Sequence, residues 1–237
     1  MMNCTEILMA KDKMEEECGV FGIYSKEVNE VAQITYYGLY ALQHRGQESA
    51  GISVSNFGEI VTYKGMGLTA DVFTPETLNN LVGNAAIGHV RYSTTGASKL
   101  ENAQPLESRY KLGQIAVAHN GNLTNAKIIR ELLEDAGSTF NTSIDSEVII
   151  KMIARKANGN VEDAIRSTVG AIKGAYALVI LAGNKLVGVR DPYGIRPLCL
   201  GINENGDYIL ASESCAIDAV GGTLIRDVLP GEMVIID

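Results

Sequence analysis

Two blocks of strand-like sequence enclose a block of helix-like sequence, and that order restricts the possible folds more than any other feature of the chain. Residues 18–24, 50–54, 59–64, 85–92 and 114–118 read as short strands bounded by turn or polar residues. One helix-period segment, residues 29–43, interrupts them, with Val31, Ile34, Leu39 and Leu42 on one side and Gly46 just past its end. The period then changes for three segments in succession. In 124–136, Ile128, Ile129, Leu132, Leu133 and Ala136 form one helical face closed by Gly137; 145–157 aligns Val148, Ile149, Met152 and Ile153; 161–172 is the third. From Gly174 strands return, 175–181 turning through Ala182-Gly183-Asn184 into 185–189, and 197–202 turning through Glu204-Asn205-Gly206 into 208–212, with 233–236 last. Strands joined by such tight turns pair antiparallel, because a parallel pair needs a long crossover. The pattern therefore predicts an α+β fold of largely antiparallel sheets layered against helices. After Cys18 there is no repeat, low-complexity tract or linker, so residues 18–237 are expected to form one domain.

Charge and composition remove several function classes. Hydrophobic residues make up 46% of the 237, enough for a sizeable core, while 28 acidic against 20 basic residues give a net charge of −8. Basic residues occur only as scattered pairs such as Arg155 and Lys156, which argues against a nucleic-acid partner. The longest apolar runs, such as 175–182, fall short of half the ~20 residues of a membrane-spanning helix, so no membrane association is expected. Cys4, Cys18, Cys199 and Cys215 include no CxxC pair, and His44, His89 and His119 lie far from any Cys/His metal spacing. A reduced, cytoplasmic protein with no metal site is the expectation.

Residues 1–17 contain no apolar run fit for a secretory signal and end in Lys11-Asp12-Lys13-Met14-Glu15-Glu16-Glu17, which reads as a solvated leader. Composition changes abruptly at Cys18. By residue type alone this cysteine is more often a small buried hydrophobe than a nucleophile. Removal of the leader changes its chemistry: it would gain an α-amine of pKa ~7.7–8.0, able to act as a base beside its own thiol.

Four ordered motifs now bear on the chain's kinship: Cys18-Gly19-Val20-Phe21-Gly22-Ile23, YGLYALQHRGQESAGI at 37–52, GHVRYST at 88–94 and AHNGNL at 118–123. Together they resemble the class II glutamine amidotransferases, which are N-terminal-nucleophile hydrolases. LQHRGQ at 42–47 and DPYGIRP at 191–197 are similar to the amidophosphoribosyltransferase branch. The resemblance implies a four-layer αββα sandwich, residues 1–17 removed to expose Cys18, and glutamine hydrolysis supplying ammonia for the first step of purine synthesis. It implies further a phosphoribosyltransferase domain as partner, no segment of which is recognisable in this sequence. Magnesium, an iron–sulfur cluster in some members, and a homo-oligomeric state belong by implication to the complete enzyme, and no cofactor to this chain.

The same resemblance assigns site residues. Cys18 is the nucleophile, with Asn120 (side-chain amide) and Gly121 (backbone N–H) as the oxyanion hole. Arg91 binds the α-carboxylate of glutamine and Asp145 its α-ammonium; Arg45 and Gly46 line the pocket, and Thr94 bonds the substrate. Each has a plainer reading from residue type. Asn-Gly after a strand commonly forms a turn, Arg91 could be a solvated strand-end charge, and Asp145 could cap the following helix. The three histidines are read as satisfied structural groups, and Cys199 and Cys215 as buried thiols in strands. Residues 92–102, with Gly96, Ala97 and Ser98, are expected to form a mobile loop after Arg91. The competing functions are a free-standing glutaminase or other self-processing amidase, and a non-catalytic binding module in which Cys18 stays internal.

Overall fold

The computed structural model describes residues 18–92 and 98–237. The expected leader, residues 1–17 with Cys4, lies outside them, as do residues 93–97 of the expected loop, Thr94 included. In chain order the elements are β1 (Gly19–Asn29), α1 (Val31–Ala41), a 3-10 turn (Gln43–Arg45), β2 (Ser49–Asn56), β3 (Glu59–Met66), α2 (Thr69–Val72), α3 (Pro75–Asn79), β4 (Gly83–Arg91), a second 3-10 turn (Leu100–Asn102), β5 (Leu106–Tyr110) and β6 (Gly113–Leu123). There follow α4 (Ala126–Asp135), α5 (Ser146–Lys156), α6 (Val161–Val169), β7 (Gly174–Ala182), β8 (Lys185–Arg190), β9 (Cys199–Asn203), β10 (Tyr208–Ala211), α7 (Ser214–Ala219), β11 (Gly222–Asp227) and β12 (Met233–Ile236). A seven-stranded sheet runs β11-β9-β10-β1-β4-β2-β3 and a five-stranded sheet β12-β8-β7-β6-β5. Every ladder in both is antiparallel.

The pleat explains how the sheets stack. Along β1, Val20 and Tyr24 enter an apolar layer shared with Ala177, Val179 and Leu181 of β7, whereas Phe21 and Ile23 enter another shared with Val31, Leu39 and Ile217 of α1 and α7. Along β7 the alternate residues Tyr176, Leu178 and Ile180 pack with Val148, Ile149 and Ile165 of α5 and α6. Three apolar layers thus separate helices, sheet, sheet and helices, which is the expected αββα sandwich. Small residues let the layers close. A Cβ on Gly22 would come within 2.6 Å of Val179 across the sheets, and one on Gly38 of α1 would overlap the Phe21 ring.

Several expectations are corrected. Strand 114–118 continues to Leu123, so Asn120 and Gly121 form no turn: both stay in the β6–β7 ladder, opposite Ala177 and Tyr176. On α4 only a narrow stripe of Ala126, Ile129 and Leu133 meets the core, and Ile128 and Leu132 are 62% and 63% exposed. Cys215 lies in α7 rather than a strand and is exposed, because the helix turns Ala216 and Ile217 inward instead. Cys199 is the buried thiol expected; it donates to the Ala211 carbonyl at 3.2 Å, and burial pushes its pKa up to about 12. Edge strands β5 and β11 and the short helices α2, α3 and α7 carry no sequence periodicity that would announce them. Among the described residues no helix is long and apolar enough to cross a membrane.

Candidate functional site

Strand parity directs the candidate residues into one space. Ala85 and Ile87 of β4 point into the layer between the sheets, and so therefore do His89 and Arg91; Ala116 and Ala118 of β6 do likewise, and with them Asn120. Cys18 immediately precedes β1, two residues before inward-facing Val20. The three strand ends coincide. Gly19 pairs with Val90, which brings Cys18 to the end of β4, and the His89 Nε2 lies 3.0 Å from the His119 carbonyl oxygen, which ties that end to β6 one residue before Asn120. Gln104 reinforces the tie, its side chain accepting the His119 N–H at 2.8 Å and donating to the His119 carbonyl at 3.3 Å.

Cys18 is gripped by Arg45. The Cys18 N–H donates to the Arg45 carbonyl at 2.9 Å, and the Arg45 Nε donates to the Cys18 carbonyl at 2.7 Å. Between these contacts Cys18 adopts φ +61°, a left-handed conformation that costs an L residue roughly 1–2 kcal/mol. Its Sγ meets the backbone of Tyr92, accepting the N–H at 3.4 Å. The Arg45 guanidinium is buried, and its NH1 is paired with Glu213 at 2.5 Å. Burial pushes the Glu213 carboxyl up, but its bonds to Arg45 and His44 outweigh that and hold its pKa below the ordinary value. Arg45 thus lies beneath the cysteine. Gly46, whose Cβ would come within 2.7 Å of the Val90 and Arg91 backbone, lets the chain pass close to β4.

Arg91 is no solvated strand-end charge. It is buried, and its NH1 donates to Glu48 at 2.6 Å, an orientation that fixes the planar fork. Asn120 is fully buried, and neither side-chain atom has a hydrogen-bond partner among the described residues, an arrangement that costs about 1–3 kcal/mol. Gly121 follows at φ +142°, where a Cβ would overlap the Ala175 carbonyl oxygen. Asp145 occupies the N-cap position of α5 without capping it: its carboxylate accepts the Leu123 N–H at 2.8 Å and lies 3.7 Å from the His119 Nδ1. His119 also meets Ser146 Oγ at 3.0 Å. Burial drives both inner histidines toward the neutral form, His89 to a pKa of about 3. His44 is exposed and meets Glu213 at 3.2 Å.

Cys18 just before β1, Arg45 in the 3-10 turn and Arg91 at the end of β4 therefore gather with Asn120 and Gly121 of β6 and Asp145 at the start of α5 at one end of the sandwich. Thr94 lies outside the described residues. Beyond it, Asn102 anchors the chain to Ser143, donating at 3.0 Å and accepting the Ser143 N–H at 3.1 Å, two residues from Asp145. Sequence reasoning missed Glu48, Gln104, Ser146 and Glu213. Glu48 at least lies within the motif at 37–52, whereas nothing local distinguishes the other three. Among the described residues no group of three His, Cys, Asp or Glu side chains is placed to hold a metal ion. Chemically, the gathering offers a thiol, buried amide and backbone donors, the Arg45 and Arg91 guanidiniums and the Asp145 carboxylate, groups suited to an acyl transfer on an amino-acid amide.

A family model described as a glutamine amidotransferase domain matches residues 89–219. Amidophosphoribosyltransferase 3, chloroplastic, from Arabidopsis thaliana is 47% identical over 226 residues, covering 95% of this chain and 42% of the relative. Amidophosphoribosyltransferase from Bacillus subtilis is 47% identical over 225 residues, covering 94% of this chain and 47% of the relative. A solved structure of glutamine phosphoribosylpyrophosphate amidotransferase from B. subtilis superposes with a TM-score of 0.86 at 46% identity, over 93% of this chain and 47% of that one. The chain spans less than half the length of each.

Proposed function

The chain belongs to the glutamine amidotransferase domain family, and from that premise we propose that it hydrolyses the side-chain amide of L-glutamine through a Cys18 thioester, as the glutaminase part of an amidophosphoribosyltransferase. The observation that carries the reading is the convergence of Cys18, just before β1, with Arg91 of β4 and Asn120 of β6 at one end of the space between the sheets.

In this reading the bond between Glu17 and Cys18 is cut first, freeing the α-amine. Arg91 then takes the α-carboxylate of glutamine and Asp145 the α-ammonium, which leaves the amide facing the thiol. The amine accepts the thiol proton as sulfur attacks the amide carbon, and the Asn120 amide and the Gly121 N–H hold the oxyanion. Collapse breaks the C–N bond, the amine returns the proton to the departing ammonia, and a γ-glutamyl thioester remains. Water, deprotonated by the same amine, cleaves the thioester to glutamate. The product ammonia would serve a phosphoribosyltransferase part that makes 5-phosphoribosylamine from phosphoribosyl pyrophosphate, opening purine synthesis. Magnesium, an iron–sulfur cluster where present, and homo-oligomer contacts belong in this proposal to the complete enzyme, and a cytoplasmic setting suits its substrates. The rival of a free-standing glutaminase draws less support, because the matched relatives are amidophosphoribosyltransferases.

Intact mass and glutamate release test the proposal together. Mature protein should begin at Cys18, and Cys18→Ala should fold normally, release no glutamate and escape labelling by electrophilic glutamine analogues. Full activity with Met1 still attached, or labelling of the Cys18→Ala variant, would relocate the nucleophile.

A further inference from the structure

Glu213 has no direct contact with Cys18, yet Arg45 connects it to both ends of the Cys18 backbone. The segment that carries it is stitched to β1: Ser212 Oγ accepts the Val20 N–H at 3.0 Å and the Ser212 N–H donates to the Val20 carbonyl at 3.0 Å. From this base the Glu213 carboxylate pairs with Arg45 NH1 at 2.5 Å and meets His44 Nε2 at 3.2 Å. Arg45 in turn holds the Cys18 carbonyl through Nε and the Cys18 nitrogen through its own carbonyl oxygen. We infer that Glu213 is a positioning residue for the nucleophile, aiming the Cys18 thiol and α-amine through the buried Arg45 side chain. The inference rests on the reading of Cys18 as nucleophile.

Two physical consequences follow from the arrangement. A buried guanidinium deprived of its carboxylate is strongly unfavourable, so without Glu213 the Arg45 side chain is driven to rearrange. Cys18 holds a left-handed conformation only because its surroundings impose it, and a loosened Arg45 releases it. The second consequence is electrostatic. The charged and titratable groups around the Cys18 nitrogen are Arg45 and His44 from the 3-10 turn, Glu213 from the segment before α7 with the Cys215 thiol 3.5 Å from its carboxylate, the Arg91–Glu48 pair across from β1, and the Cys18 thiol itself. Removal of the Glu213 charge leaves Arg45 less compensated. Its positive potential then disfavours the ammonium form of the α-amine, and the amine's pKa falls.

The test uses the processed chain, residues 18–237, and its glutamate release. Glu213→Gln keeps the shape but not the charge, and should lower kcat/KM by about tenfold or more, mainly in kcat, since misplacement of reacting groups acts on the chemical step. It should also move the acid limb of the kcat/KM profile to lower pH, a shift that a merely structural role would not produce. Glu213→Asp restores the charge and should return the acid limb toward its original position. Circular dichroism and thermal melts check that each variant is folded. A folded Glu213→Gln variant with unchanged kcat, or with lowered kcat and an unmoved acid limb, would overturn the inference. Cys18→Ala, assayed alongside, separates the two levels: glutamate release by that variant removes the nucleophile reading, whereas its silence together with an unaltered Glu213→Gln enzyme removes only the role of Glu213.

Discussion

Asn120 shows most plainly how stability and chemistry oppose each other at a single residue. Its amide is fully buried and has no hydrogen-bond partner among the described residues, a cost of roughly 1–3 kcal/mol that a purely structural position would shed. Asn120→Ala should therefore leave the melting temperature unchanged or higher while kcat falls by about a hundred- to a thousandfold, or 2.7–4 kcal/mol, with a smaller change in KM. Steady-state kinetics and a thermal melt on the same preparation check both halves, and a raised KM with unchanged kcat would remove Asn120 from the oxyanion hole. At this scale the candidate residues were legible where a local motif holds them, as around Cys18, Arg91 and Asn120. The sequence was silent on their ion-pair partners. Glu48 lies 43 residues from Arg91 and Glu213 lies 168 from Arg45, and no periodicity or spacing links residues that only the fold brings together.

Elements transmit these residue positions through two close contacts. The first is α1 on β1, where Gly38 faces the Phe21 ring with no room for a methyl group. Alanine is the better helix former by about 1 kcal/mol, so propensity alone says Gly38→Ala stabilises; the clash says it destabilises by roughly 1–3 kcal/mol. The clash should win. Because β1 begins just after Cys18, the proposed nucleophile, activity should fall too, and Phe21→Leu in the same chain should recover part of both, as melts and glutamate release on the single and double variants will show. The second contact is His89 against the His119 carbonyl, joining β4 to β6. Burial pushes the His89 pKa down from 6.5 to about 3, so between those values the unfolded chain takes up a proton that the folded chain refuses. Stability is then complete above pH 6.5 and declines as the pH drops toward 3. In His89→Gln, which can still donate to the carbonyl, the melting temperature should fall less steeply between pH 6.5 and 4.5; equal slopes would show that His89 contributes nothing there. The paired strands around these contacts were legible, because burial on both faces makes the first half of β1 and most of β4 and β7 apolar. Edge strand β11, exposed along nearly its whole length, gave no such signal, and the α4 face was overread because five apolar positions suggested a wider buried stripe than the core provides.

For the whole molecule, the proposal separates making ammonia from using it. Transfer to phosphoribosyl pyrophosphate requires a site for a pyrophosphate and its magnesium, usually a glycine-rich loop leading into a helix or a concentrated basic surface. This sequence carries neither: its basic residues are scattered and its net charge is −8. The candidate site lies at one end of the sandwich, where the phosphoribosyltransferase part would exclude water and complete the positioning of substrate. Without that part the aligned groups should still turn over, but slowly, and the ammonia should pass to solvent. The 237-residue chain, once processed, is thus expected to release glutamate at a low basal rate, to keep that rate when phosphoribosyl pyrophosphate and magnesium are added, and to form no phosphoribosylamine. Glutamate production followed with and without the donor decides the matter. Marked stimulation would mean that this chain itself holds a donor site, and an ammonia acceptor would then have to be sought on its own surface.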